Sequence, residues 1–257
     1  MRRIDSGTVS AWSVAPDEAK LAYLEGCFQR HYGPVLPPEL RDFHAFLNAQ
    51  PSYRHSAHYY RYLTTFAAAV PHLGGRTGLT ILETGGSSPL LDYLSATHAC
   101  HVTTTDLRDA LDCPDGAADI VLSLEVLEHL KDRRETTMDE IVLFRETGVA
   151  CYAREIARCL RPGGLLIMTT PNAASAQVFQ NVVEGNPGMV FRPHVREYTR
   201  DEVLRLFAGL ELVEHRTFFN FFHMGDNGAA IIARIVAAGG SPEHRGDDHF
   251  FVFRRPA

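Results

Sequence analysis

From Thr80 onward the chain repeats one unit: a short β-branched or apolar run, a tight turn, then a stretch with helical spacing. LTILETGG ends in a glycine pair and leads into SSPLLDYLSATHA, where apolar residues recur at three- and four-residue intervals and Ser87 or Ser88 stands at the N-cap position. HVTTTDL (101–107) predicts a second strand ending at Asp106, and ADIVLSL (118–124) predicts a third. After a helical region closing on YAREIARCLRPGG, LLIMTTPN (165–172) predicts a fourth, with Gly163 and Gly164 in the turn before it. TRDEVLRLFAGL (199–210) reads as a helix capped by Thr199, LVEHRTFFNFF as a strand, AAIIARIVAAGG as a helix and HFFVFRRP as a closing strand. Strands alternating with helices in this way require a mostly parallel α/β sheet covered on both faces.

Residues 1–77 lack that alternation. DEAKLAYLEGCFQRHYG, PELRDFHAFLNAQ and HSAHYYRYLTTFAAAV have helical spacing, and Gly33-Pro34 and Pro51 break them, so this part is expected to form a helical cap or lid on a domain spanning 78–257. Tyr59, Tyr60 and Tyr62 are placed either to pack that cap or to line a pocket, and ring burial favours packing. With 25 Lys and Arg against 31 Asp and Glu, a net charge of −6, and no basic block, the chain is poorly suited to gripping nucleic acid. Its five cysteines, Cys27, Cys100, Cys113, Cys151 and Cys159, are odd in number and lack C-x-x-C spacing, which fits reduced thiols and a cytoplasmic location. No stretch approaches the roughly 20 apolar residues a membrane span needs.

Open α/β sheets bind ligands beyond the carboxyl ends of their strands, where strand order reverses. The informative residues are therefore Glu83, Gly85 and Gly86 after the first strand, Asp106 and Leu107 after the second, Ser123, Leu124 and Glu125 after the third, and Thr170 to Asn172 after the fourth. A glycine pair admits a ligand close to the backbone, and an acid ending the next strand can accept two hydrogen bonds from a ribose diol. These features suggest a cofactor containing a nucleoside.

ILETGGSSP, the strand-ending Asp106, DIVLSLEVLEHL and REIARCLRPGGLLIMTTPN stand in the order typical of class I S-adenosylmethionine-dependent methyltransferases, which residues 78–257 resemble, the small-molecule and glycan enzymes especially. The resemblance implies a Rossmann-like sheet with an antiparallel last strand. It also implies that Glu83, Gly85 and Gly86 hold the methionine part of S-adenosyl-L-methionine, Asp106 and Leu107 the ribose side, and the segment around Asp112 the adenine, with Ser123 and Leu124 lining the same mouth. Two departures stand out. Ser88 or Pro89 replaces the third glycine of the first motif, and only about a dozen residues separate Asp106 from Asp119, too few for a helix and a full strand. A nicotinamide dehydrogenase would need G-x-G-x-x-G where this chain has ETGGSSP.

Within VLSLEVLEHL, Glu125, Glu128 and His129 are spaced i, i+3 and i+4, which on a helix would bring them to one face at the methyl-donor mouth. Neighbouring buried carboxylates need a cation, hydrogen bonds or protonation to offset their cost. A similar E-x-x-E-H turn in small-RNA terminal 2′-O-methyltransferases and ubiquinone-biosynthesis O-methyltransferases binds a divalent metal that holds the acceptor hydroxyl. In the RNA enzymes a downstream histidine completes the site, a position matched here by His194 in FRPHVREYT. Glu125, Glu128, His129 and His194 would form an oxygen and nitrogen set suited to magnesium or manganese. Two catalytic readings stand open: a metal-assisted one resting on Glu128, His129 and His194, and a metal-free one in which His129 or His194 is the general base.

The expected reaction is O-methylation of a small polyhydroxylated molecule such as a sugar, glycan or natural product, with small aromatic acceptors as the alternative. A domain that binds the cofactor without turnover is the non-enzymatic alternative. The segments 131–149 and 182–194 are placed to roof the acceptor pocket, the second by virtue of Gly185, Pro187 and Gly188. Oligomeric state is not encoded in any motif found.

Overall fold

The computed structural model describes residues 34–35, 38–54, 56, 58–73, 75–98, 101–105, 110–130, 147–190, 194–218 and 233–257. Asp106, Leu107, most of the 131–149 segment and the part of the expected LVEHRTFFNFF strand from Phe219 onward lie outside them, as do the first expected helix and the start of AAIIARIVAAGG. The chain divides into two compact units: 1–75 with 219–230, and 76–218 with 231–257.

The described part of the first unit is three helices, α1 (Pro38–Ala49), α2 (Pro51–Arg54) and α3 (Tyr59–Leu73). Leu40, Phe43 and Leu47 repeat at three- and four-residue spacing on α1 and are buried. Phe43 stacks on Phe66 of α3 with ring centroids 4.1 Å apart. Tyr59 is fully buried and its hydroxyl donates to Asn48 Oδ1 at 3.1 Å, so this ring is a packing residue of the unit.

The second unit is a six-stranded sheet with strands β1 (Thr80–Thr84), β2 (His101–Thr105), β3 (Ala118–Leu124), β4 (Leu160–Pro171), β5 (Glu211–Phe218) and β6 (Asp248–Arg254). Strand order is β2-β1-β3-β4-β6-β5; the first four are parallel, and β6 runs antiparallel to both β4 and β5. β1, β3 and the buried stretch of β4 are near-continuous apolar runs, as strands covered on both faces must be. The crossover from β1 to β2 carries α4 (Pro89–His98), and that from β3 to β4 carries α5 (Thr147–Cys159). These crossovers run in opposite directions along the sheet, so right-handed connection puts the two helices on opposite faces. Tyr152, Ala153 and Ile156 of α5, Val203 of α7 (Arg200–Leu206) and Phe207 just after it form one core with Leu82, Val121, Leu166, Phe251 and Phe253. Thr199 and Glu202 close a capping box at the start of α7, as the T-x-x-E spacing predicts.

Two local expectations are corrected. β4 begins at Leu160, directly after α5, so Gly163 and Gly164 lie inside the strand instead of in a turn before it. A Cβ on Gly164 would stand 2.9 Å from the Arg161 carbonyl and 3.1 Å from that of Ala118, so close strand packing requires the glycine. EVLEHL does not open an α-helix: Glu125 has φ +58°, and Leu127–His129 make a single 3₁₀ turn. The apolar residues around the acids face the core, where Val126 and Leu127 are buried.

Candidate active site at the strand switch

Strand order reverses between β1 and β3, since β2 lies beyond β1 on one side and β4 beyond β3 on the other. Thr84 pairs with Ser123 and Leu124 with Thr169, which brings the Gly85-Gly86 turn, the E-H turn and the end of β4 to the same edge of the sheet. Gly85 and Gly86 have φ of +88° and +124°, conformations open to glycine, and a Cβ on Gly86 would meet nothing within 4 Å. The backbone is therefore bare on the side where a ligand would approach.

Glu83 is buried beneath this turn and its Oε2 accepts the Ser88 N–H at 2.7 Å, tying the end of β1 to the start of α4. Burial raises its carboxyl from the ordinary 4.5 to about 7, against the opposing pull of the Ser88 hydrogen bonds. Ser123 is fully buried and its Oγ accepts from the Tyr152 hydroxyl at 2.7 Å, within a chain that continues to Thr84 Oγ1. Its hydroxyl therefore braces β3 against α5. Leu124 is half-buried at the strand end.

Asp112 is exposed in the 110–117 segment, which carries no helix between β2 and β3. That segment is held by two α5 residues that sequence reasoning did not single out. Arg158 donates to the carbonyls of Leu111 at 2.9 Å and Cys113 at 2.7 Å and pairs with Glu155, which in turn accepts the Leu111 N–H at 3.0 Å. The i, i+3 spacing of Glu155 and Arg158 in REIARC was the available signal.

Glu128, His129 and His194 converge, with one ligand atom from each lying within 4.8 Å of the others. Glu125 is outside that trio, its backbone N–H bonded to the Thr169 carbonyl at 3.0 Å. Glu128 is fully buried; its Oε2 accepts from Thr170 Oγ1 at 2.9 Å, and its Oε1 lies 3.8 Å from His129 Nε2. The Glu128 carbonyl accepts the Val195 N–H at 2.8 Å, so the His194 segment is fastened to the E-H turn through the backbone. The His129 and His194 rings sit edge to face, 5.0 Å apart. Desolvation, reinforced by His194 and opposed by Glu125, lowers the proton affinity of His129, whose ring is half exposed. Two imidazoles and a buried carboxylate are a donor set suited to a divalent ion with positions left for exogenous oxygen.

Asn172, also fully buried, spans the end of β4: its Nδ2 donates to the carbonyls of His244 and Gly246, and its Oδ1 accepts the Ala174 N–H. It shapes the loop and does not project into the mouth as a ligand.

Residues 53–215 match the family described as "Methyltransferase domain". The chain belongs to that family. As a methyltransferase domain it has the class I, S-adenosylmethionine-dependent fold; among the described residues, no strand lies beyond β2. Proteins named "Probable S-adenosylmethionine-dependent methyltransferase" in two strains of Mycobacterium tuberculosis are 30% identical over 104 residues, 40% of this chain. That match spans 30% of the length of these relatives. Among solved structures, the complex between the Haloferax volcanii Trm112 methyltransferase activator and a methyltransferase aligns with TM-score 0.52 and 16% identity over 87% of this chain and 100% of that one. Geranyl diphosphate C-methyltransferase from Streptomyces coelicolor, solved with Mg2+, geranyl diphosphate and S-adenosyl-L-homocysteine, aligns with TM-score 0.50 and 11% identity over 86% of this chain and 100% of its own. At such identities these two likenesses concern the fold. Among the described residues, no helix is long and apolar enough to cross a membrane.

Proposed function

We propose that the protein is an S-adenosylmethionine-dependent O-methyltransferase acting on a hydroxyl of a small polyhydroxylated acceptor, a sugar, glycan or natural product, with magnesium or manganese held by Glu128, His129 and His194. Residues 78–257 form the catalytic domain in this reading, and 1–77 a lid. The observation that carries it is the convergence of the three side chains at the carboxyl ends of the strands, beside the switch point where open α/β sheets bind ligands. The bare turn at Gly85 and Gly86 fits a cofactor that approaches the backbone, and Glu83 beneath it fits the methionine end.

The sulfonium supplies an activated methyl group, and a hard divalent ion supplies a lower hydroxyl pKa. The protein's own part is orientation and deprotonation. Methyl transfer is an in-line displacement, so the acceptor oxygen must be held on the axis of the bond that breaks. Glu128, fixed by Thr170, is rigid enough to set that position. Without the ion, His129, half exposed beside Glu128, would be the group placed to take the hydroxyl proton.

The test is methyl transfer from labelled cofactor to a panel of sugars, polyols and catechols, with and without chelator. The proposal expects transfer to a polyol that stops on chelation and returns with magnesium or manganese, while cofactor binding by calorimetry persists. Full transfer in chelator, abolished by His129→Ala, would assign His129 as a metal-free base. Cofactor binding without transfer to any acceptor would favour a non-catalytic domain.

A further inference from the structure

We propose that Glu197 is a positioning residue: it holds His194 in the Nδ1–H tautomer, so that the Nε2 lone pair is the one offered to the site, and it ties the preceding turn to that same ring. This rests on the proposed metal-assisted reading for its purpose, though the tautomer itself stands on geometry alone.

The Glu197 side chain is 2% exposed and that of His194 7%. A carboxylate so placed is costly unless strong donors meet it. Glu197 Oε1 receives two: His194 Nδ1 at 2.7 Å and the Val190 N–H, also at 2.7 Å. Both are at the short distances of charge-assisted bonds. A carboxylate oxygen accepts, so Nδ1 carries the hydrogen; a neutral imidazole has one N–H, and Nε2 is left with its lone pair. A ligand histidine requires that arrangement, and so does a histidine acting as general base through Nε2.

The division of labour within the segment is clear from its bonds. The Glu128 carbonyl holds the backbone of Val195, fixing where the His194 residue sits. Removing Glu197 would take away the acceptor that meets the Nδ1–H of that ring. The Val190 bond adds a second consequence, because it makes the turn after α6 (Ala176–Val183) report on the same carboxylate. The Val190 backbone and the His194 ring thereby share one carboxylate oxygen. The H-x-x-E spacing of His194 and Glu197 is the sequence trace of this pair.

The experiment is long-range 1H–15N correlation of the full-length protein labelled at histidine, treated with chelator and recorded at pH 7.5, followed by manganese titration. Wild-type His194 is expected as the Nδ1–H tautomer. Glu197→Ala should move it away from that tautomer and weaken manganese binding by about 10- to 100-fold. Glu197→Gln, which keeps an acceptor oxygen, should retain most of the tautomer and lose less affinity. A thermal melt checks that each variant folds, and the wild-type spectrum needs no variant at all. His194 found as the Nε2–H tautomer or as imidazolium in the wild type overturns the proposal, as does an unchanged tautomer in folded Glu197→Ala. The expected tautomer in a wild type that binds no manganese upholds the positioning role and removes the metal instead.

Discussion

Glu125 has the only left-handed backbone outside glycine among the described residues, immediately after β3 and beside the proposed site. Such a conformation costs a side-chain-bearing residue about 1–2 kcal/mol, and it persists where surrounding structure enforces it. Here the Thr169 carbonyl holds the Glu125 N–H, and the buried Val126 and Leu127 fix the chain that follows. Glu125→Gly should therefore be more stable than Glu125→Ala by about 1 kcal/mol in chemical denaturation, since both lack the carboxylate and only one relieves the backbone. Equal stabilities would show that the turn relaxes. Glu83 gives a pH-dependent expectation. Its folded value of about 7 lies above the ordinary 4.5, so between these the native state keeps a proton that the unfolded chain has released. Its contribution to stability is present below the lower value and fades as pH rises through about 7. Glu83→Gln should remove this component, flattening the loss of stability between pH 5 and 8 by at most about 1.4 kcal/mol per pH unit. At this scale the convergence of Glu128, His129 and His194 was legible, because E-x-x-E-H and a downstream histidine are types that chemistry restricts, whereas Glu125, expected with them, lies outside the trio. Glu197 and Thr170 were not singled out as supports, since acting through another side chain leaves no mark in a motif.

Elements were read well where burial on both faces forced long apolar runs, as in β1, β3 and the buried stretch of β4. EVLEHL was misread because Glu128 and His129 are held together by one 3₁₀ turn as readily as by a longer helix, while Glu125 takes a left-handed backbone before that turn, which residue spacing does not reveal. That 110–117 carries no helix was foreseeable from length alone; what holds it was not. The 110–117 segment is instead pinned from outside by Arg158, a contact 47 residues away from Leu111 in the chain. Arg158→Ala should leave the Leu111 and Cys113 carbonyls without their guanidinium and cost about 1–3 kcal/mol of stability. If this segment borders the adenine, cofactor affinity should fall as well, several-fold by calorimetry, while manganese affinity stays constant. Loss of stability with cofactor affinity intact would place the adenine elsewhere.

The whole molecule was legible as a class: alternating elements led to a mostly parallel sheet, the family resemblance implied its antiparallel last strand, and the observed order β2-β1-β3-β4-β6-β5 puts the switch between the glycine turn and the E-H turn. Site position then follows from topology, because residues distant in sequence, such as Glu83, Glu128 and His194, reach one sheet edge only through strand order and the bond from Val195 to the Glu128 carbonyl. The central claim is that Glu128, His129 and His194 bind a divalent ion that the transfer requires. The most direct measurement is manganese binding to the purified full chain, followed by the paramagnetic resonance signal of free ion, in wild type and in Glu128→Gln. The account predicts one ion per wild-type chain and at least about tenfold weaker binding in the variant, with folding unchanged by melt. No binding in the wild type, or equal binding in the two, would contradict it.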